Sequence, residues 1–201
     1  DAGGQRLRLL REAQAMAKLS HPNVAAVFDV GALDHERVFV AMEFIRGKTL
    51  GAWVREEHRT RREIVDMFIQ AGRGLGAAHG AGLVHRDFKP DNVLVDQSGR
   101  ARVLDFGLVH AAEPPGNQIA IEKTLEAISD KSPLARGLTQ DGAILGTPAY
   151  MAPEQFQGLP TDARTDQFSF CAALHEALYG ERPFPGTDFR SLSKSVTEGR
   201  V

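Results

Sequence analysis

With 201 residues, 42% hydrophobic and 25% charged, and a formal net charge of -2, the chain has the content for a good core in one large or two small domains. No basic stripe stands out, which argues against nucleic acid as a main partner. A single cysteine, Cys171, excludes a disulfide framework and suits a reducing, cytoplasmic setting; no apolar run reaches the about 18 residues of a membrane span, and DAGGQRLRLLREAQ at the start has no signal-peptide apolar core.

In chain order, Leu7, Leu10, Ala13, Met16 and Ala17 recur at helical spacing, so residues 6–19 are expected to form an amphipathic helix stopped by His21-Pro22-Asn23. Two β-prone runs, 24–30 and 37–44, flank GALDHE and read as a hairpin. Gly47 is expected to loosen the chain. Helices are expected over 50–57 and 62–81, the second ended by Gly80 and Gly82, and short strands follow in NVLV (92–95) and RARVLD (100–105). Residues 108–146 exceed the usual length of a structureless connection, a sign of function or disorder, with one short helix expected around Ile121, Leu125 and Ile128. The run 162–179 is apolar on most sides and reads as a buried central helix in which Cys171 packs. The pattern is α+β: a small strand-containing piece up to residue 43 and a larger, mostly helical piece from residue 50, with a cleft expected between them.

The stretch VHRDFKPDNVLV (84–95) sets six polar groups between apolar anchors, Val84 on one side and Val93, Leu94 and Val95 on the other. A polar loop with anchored ends is a place to hold side chains still, and catalytic groups favour such loops. Asn92, and Asp105 at the end of RARVL, are oxygen ligands at the ends of adjacent short strands that could converge on one hard cation. Magnesium takes one or two protein oxygens and leaves its other positions to water and phosphate. Asp87 could then accept a proton from an attacking hydroxyl, and Lys89 could carry positive charge toward a transferring phosphoryl group.

The ordered set HRDFKPDN (85–92), DFG (105–107) and APE (152–154) resembles the protein kinase family, and LSHPNV and GTPAYMAPEQ resemble its bacterial Ser/Thr branch of eukaryotic type. The likeness runs over nearly the whole chain. It implies a truncated protein-kinase-like two-lobe fold: a partial N-lobe of helix plus strands at 1–43, a hinge at 44–49 and a mostly helical C-lobe at 50–201, with an activation segment at 105–154. It implies ATP and Mg2+ as cofactors and Ser/Thr hydroxyls of proteins as acceptors. Asp87 matches the catalytic base, Lys89 the phosphate-facing lysine, and Asn92 and Asp105 the magnesium ligands. Glu12 matches the helix glutamate that pairs with the ATP-binding lysine, Met42 the gatekeeper, Glu43 and Ile45 the hinge that meets adenine, and Leu94 the floor of the adenine pocket. His85, Phe106, Met16 and Val27 match a hydrophobic column joining the lobes, and Asp166 an acid that braces the catalytic loop. Lys89 and Thr147 fit the Ser/Thr branch. Where related kinases carry a Thr-x-Thr pair this chain has Thr139-Gln140-Asp141. Thr139 is thus the expected autophosphorylation site, reached by self-association, and Asp141 a built-in partial substitute for a phosphate on Arg86.

Departures from the pattern shape the expectation. No Gly-x-Gly-x-x-Gly loop and no ATP-binding lysine precede the first helix, the first residue is not Met, and the arginine that pairs with the APE glutamate, here Glu154, falls beyond residue 201 in the family pattern. Truncation at both ends is therefore expected, with no activity in the chain alone. GRGLG (72–76) lies within a helical segment and is not expected to touch phosphate. HEALY (175–179) has Tyr where a zinc-protease helix needs its second His, and no other histidine shows metal spacing. Two alternatives stand beside an active kinase. One is a pseudokinase serving as an interaction module; the other is a small-molecule phosphotransferase, against which Arg86 and the GTPAYMAPE platform argue.

Overall fold

A computed structural model describes residues 17, 19–32, 38–106 and 147–200. Glu12 and Met16 with nearly all of the expected first helix, the helix expected around Leu125, and the stretch holding Thr139 and Asp141 lie outside the described residues. The chain divides into two compact units, Asp1–Glu113 and Pro114–Val201.

In the first unit, strands β1 (Val27–Ala32) and β2 (Val38–Met42) pair antiparallel from Val27↔Met42 to Ala32↔Val38, with a register shift between Val27 and Asp29. This is the expected hairpin. Gly47, expected only to loosen the chain, instead opens strand β3 (Gly47–Thr49), which pairs with β4 (Val93–Asp96), itself paired with β5 (Ala101–Val103). Glycine is required there because a Cβ would sit 2.1 Å from the Val95 carbonyl oxygen. Helix α1 (Leu50–Glu56) starts at Thr49, whose hydroxyl accepts from Ala52 N at 3.2 Å.

Helix α2 (Arg61–Gly80) begins with a capping box: Thr60 Oγ1 accepts from Glu63 N, and the Glu63 carboxylate accepts from Thr60 N at 2.8 Å. It ends as the glycines predict, with Gly82 at φ 77° and Leu83 N donating back to Ala78 O. Its buried stripe, including Phe68, Ala71, Gly74, Leu75 and Ala78, packs on β5. Gly74 explains part of GRGLG: a Cβ there would lie 2.4 Å from Asn23 O, so the glycine serves a close backbone approach. Asn23 is the rivet at that point. Its carbonyl accepts from Val103 N at 2.9 Å, and its buried amide donates to Ala101 O at 2.9 Å.

The second unit holds a 3-10 turn (Thr147–Tyr150) and helices α3 (Pro153–Phe156), α4 (Ala163–Tyr179) and α5 (Phe189–Thr197). Asp162 caps α4 and Gly180, at φ 77°, ends it. The expectation of a helix apolar on most sides needs correction, because its buried stripe begins with Thr165, Asp166 and Ser169 and turns apolar only at Ala172 and Ala173. Cys171 stands off that stripe and is exposed, not packed. Helix α5 has no counterpart in the sequence expectations. It docks through Phe189 on Phe156 (ring centroids 5.3 Å apart) and through the buried Leu192 and Val196. No helix among the described residues is long and apolar enough to cross a membrane.

Candidate active site

The polar loop 84–92 is held by its own apolar and aromatic residues. Leu83, Phe88, Val93 and Val95 are buried, whereas Val84, expected to anchor the loop, is only half-buried. His85 is the joint. It is fully buried, its Nδ1 accepts from Asp87 N at 3.3 Å, and its Nε2 lies 2.8 Å from Leu104 O. Since Nδ1 accepts, Nε2 carries the proton and donates to Leu104 O, which fixes one neutral tautomer. Its ring lies 5.9 Å from Phe88, edge-on, and 4.9 Å from Phe106. The histidine therefore fastens the loop to the segment that bears Asp105, as the expected column requires for this pair.

On this frame the loop brings three of the expected residues together. Lys89 Nζ is 2.9 Å from Asp87 Oδ2, and Asn92 Nδ2 donates to Asp87 Oδ2 at 3.2 Å and to Asp87 O at 2.8 Å. The Asp87 and Lys89 side chains are 24% and 20% exposed, enough shielding to strengthen their attraction while leaving access from solvent. Asn92 commits its amide nitrogen to Asp87, which leaves its side-chain oxygen as the remaining acceptor of that amide.

Asp105 joins through the backbone: Leu104 N donates to Asn92 O at 2.9 Å, setting the exposed Asp105 one residue from the Asn92 tether. Arg86 and Asp105 adopt φ of 65° and 52°, the only positive φ values of non-glycine residues among those described. Each such residue costs about 1–2 kcal/mol, and such strain collects where a loop must aim a side chain.

Met42, Ile45 and Leu94 are each half-buried, the first at the end of β2 and the last on β4. Glu43 N donates to Ala26 O at 2.9 Å, so the residue is tied into the sheet at the very start of the 43–46 linker. Its carboxylate accepts from Ala26 N at 3.2 Å and from Arg102 Nη1 at 2.6 Å. No sequence motif marks Arg102, which reads as an ordinary strand residue. Its position opposite Leu94 on β5 is the signal that could have singled it out.

In the second unit, Glu154 accepts from Thr165 Oγ1 at 2.5 Å, and Tyr150 Oη donates to Glu176 at 2.5 Å. Asp166 is fully buried. Thr165 joins α4 to α3 through Glu154, and its hydroxyl also accepts from Asp162 N, the cap of α4, at 3.3 Å.

The fold and the loop define a protein kinase: the family model described as protein kinase domain matches residues 2–200, and the chain belongs to that family. Among curated relatives, it is 35% identical over 185 residues to a probable serine/threonine-protein kinase of Corynebacterium efficiens, covering 90% of this chain and 25% of that protein. It is 34% identical over 184 residues to the serine/threonine-protein kinase PknB of Mycobacterium tuberculosis, covering 90% of this chain and 26% of the relative. The same organism's PknA is 34% identical over 184 residues, covering 89% and 38%. The chain thus spans well under half the length of these relatives. In fold it matches the crystal structure of Rad53 residues 1–466 in complex with AMP-PNP, with a TM-score of 0.67 at 24% identity, covering 96% of this chain and 43% of that one.

Proposed function

We propose that the chain is the catalytic part of a protein serine/threonine kinase that transfers the γ-phosphate of ATP to Ser or Thr hydroxyls of protein substrates. The observation that carries this reading is the Asp87–Lys89–Asn92 cluster, tethered through Asn92 O and Leu104 N to the strained residue Asp105. Asp87 is the base: the contacts described for its carboxylate fall on Oδ2, and Oδ1 accepts the hydroxyl proton. Lys89, steadied by the same carboxylate, faces the transferring phosphoryl group and offsets its charge.

A divalent cation fits the donor set. Asn92 and Asp105 supply one amide and one carboxylate oxygen, and no cluster of three His, Cys, Asp or Glu side chains suited to a metal occurs among the described residues. A pair of oxygens matches what Mg2+ asks of a protein when phosphates complete its shell. Held by the Asn92 and Asp105 oxygens, Mg2+ would neutralise and orient the phosphates. The family pattern would set adenine against Leu94, beside Met42, with its edge at the backbone of Glu43 and Ile45, and it assigns Glu12 to pairing with an ATP-binding lysine.

The reading extends to the lobe boundaries of 1–43, 44–49 and 50–201, to a cytoplasmic setting, and to self-association for autophosphorylation at Thr139. Its support is the family and the matching motif positions. Incubating the protein that contains this chain with γ-labelled ATP, Mg2+ and a Ser/Thr-rich acceptor protein should yield labelled phosphoserine or phosphothreonine. Nucleotide binding without label in either the acceptor or the protein itself would favour the non-catalytic alternative.

A further inference from the structure

The 43–46 linker lies between strands, and one side chain reaches its first residue and the strand partner of the residue that follows it. Arg102 Nη1 is 2.6 Å from Glu43 Oε1, at the start of the linker. Arg102 Nε is 3.5 Å from Asp96 Oδ2, and Asp96 is the register partner of Gly47, the residue that follows the linker. Both carboxylates are held from elsewhere too. Glu43 Oε1 accepts from Ala26 N, and Asp96 Oδ1 accepts from Ser98 N at 2.8 Å, Ser98 Oγ at 2.6 Å and Arg100 N at 3.1 Å. Burial pushes the Asp96 carboxyl upward, but the Ser98 hydroxyl, the Arg100 and Ser98 amides and the Arg102 charge outweigh it and hold the group below its ordinary value.

The guanidinium also stands in a telling place. Arg102 is directly opposite Leu94 in the β4–β5 ladder, so their side chains share a sheet face. The Arg102 and Glu43 side chains are each 22% exposed, and Arg102 Nε is buried without hydrogen-bond geometry to any partner. A rigid planar fork can bridge two carboxylates where a lysine offers only one point charge.

We propose that Arg102 is a positioning residue for the nucleotide: by clamping Glu43 and Asp96 it sets the backbone of the 43–46 linker at a fixed distance and angle from the Leu94 face, and so fixes where an adenine ring finds its hydrogen-bonding edge. The inference rests on the kinase reading, which supplies adenine as the occupant of that face. It adds a residue outside the motifs and gives it a role in nucleotide affinity and none in phosphoryl transfer itself.

The test is steady-state kinetics of the protein containing this chain, with ATP and an acceptor peptide varied separately, for wild type, Arg102→Met, Arg102→Lys, Glu43→Gln and the Arg102→Met/Glu43→Gln double variant. Arg102→Met should raise KM for ATP about fivefold or more, with kcat within about twofold and the peptide KM unchanged. Arg102→Lys should fall between, and the double variant should be no worse than its worse single, because both remove the same contact. A strut with no bearing on the nucleotide would behave differently, lowering thermal stability while leaving KM for ATP alone or moving kcat and both KM values together. Either result overturns the inference. If Arg102→Met fails to fold, Arg102→Lys and Glu43→Gln carry the same readout. A wild type that transfers no phosphate refutes the kinase reading and this inference with it, whereas an active wild type with an unchanged KM across the variants refutes this inference alone.

Discussion

Replacing Gly74 by alanine sets two effects of opposite sign against each other. In an open helix the exchange stabilises by about 1 kcal/mol, since glycine gives up more backbone entropy on folding. At Gly74 the new methyl would lie 2.4 Å from Asn23 O and 3.1 Å from Val103 Cγ2, and a backbone carbonyl cannot swing away as a side chain can. Asn23 would have to withdraw, stretching the bonds from Val103 N to its carbonyl and from its amide to Ala101 O, both 2.9 Å. Two such bonds are worth about 1 kcal/mol each, and a buried group left unpaired costs about 1–3 kcal/mol. The loss of about 2–4 kcal/mol exceeds the helix gain, leaving a net destabilisation of about 1–3 kcal/mol. Gly76, two residues on, has nothing within 4 Å of where a Cβ would stand, so Gly76→Ala should instead stabilise by about 0.5–1 kcal/mol. Urea unfolding midpoints at an unchanged m-value read both effects. Equal stabilisation by the two alanines would refute the claim that Gly74 exists for the approach of Asn23.

Asp87→Asn should lower kcat by orders of magnitude while Mg-ATP affinity holds, whereas Asp105→Asn should lose Mg-ATP affinity as well; calorimetric titration separates the two, and equal loss of binding removes the assignment. The Asp188 carboxyl is held below its ordinary value by the Ser191 backbone amide and hydroxyl at the start of α5. A depressed folded-state pKa contributes stability above the unfolded value that is lost as pH falls through the folded one, so the urea midpoint should drop below about pH 4, and drop less in Asp188→Asn. A variant that follows the wild-type acid curve would show that this cap is silent.

Elements with local signals were legible. The two β-prone runs around GALDHE and the glycines at 80 and 82 each specify structure within a few residues, and the fold follows them; the Thr60 and Glu63 capping box is an equally local signal that the sequence expectations left out. Strand β3 and helix α5 were not. Three residues beginning with glycine carry no strand period, and β3 exists because Gly47 alone lets the chain approach Val95 O. Helix α5 is short and serine-rich, and only its docking through Phe189, Leu192 and Val196 repays its formation. Cys171 was misjudged for a related reason. The buried side of α4 is chosen by polar partners, among them Thr165 with Glu154, so counting apolar residues points to the wrong face.

The candidate site divides in the same way. Asp87, Lys89 and Asn92 meet through contacts that span two to five residues, and a reader of the loop can anticipate them from spacing. The parts that brace the surrounding frame are remote in sequence: His85 reaches Leu104 across 19 residues, Arg102 reaches Glu43 across 59, and Asn23 reaches Ala101 across 78. Chemistry needs particular side chains close together, so it concentrates in a short loop, whereas rigidity needs closed rings of contact through the fold, so its residues scatter. A strand arginine and a turn asparagine look like surface punctuation until the ladder sets Arg102 opposite Leu94 and Gly74 opens room for Asn23. Mutations at such joints should therefore shift affinity or stability without touching the reacting atoms, which is the separation that the Arg102 and Gly74 variants measure.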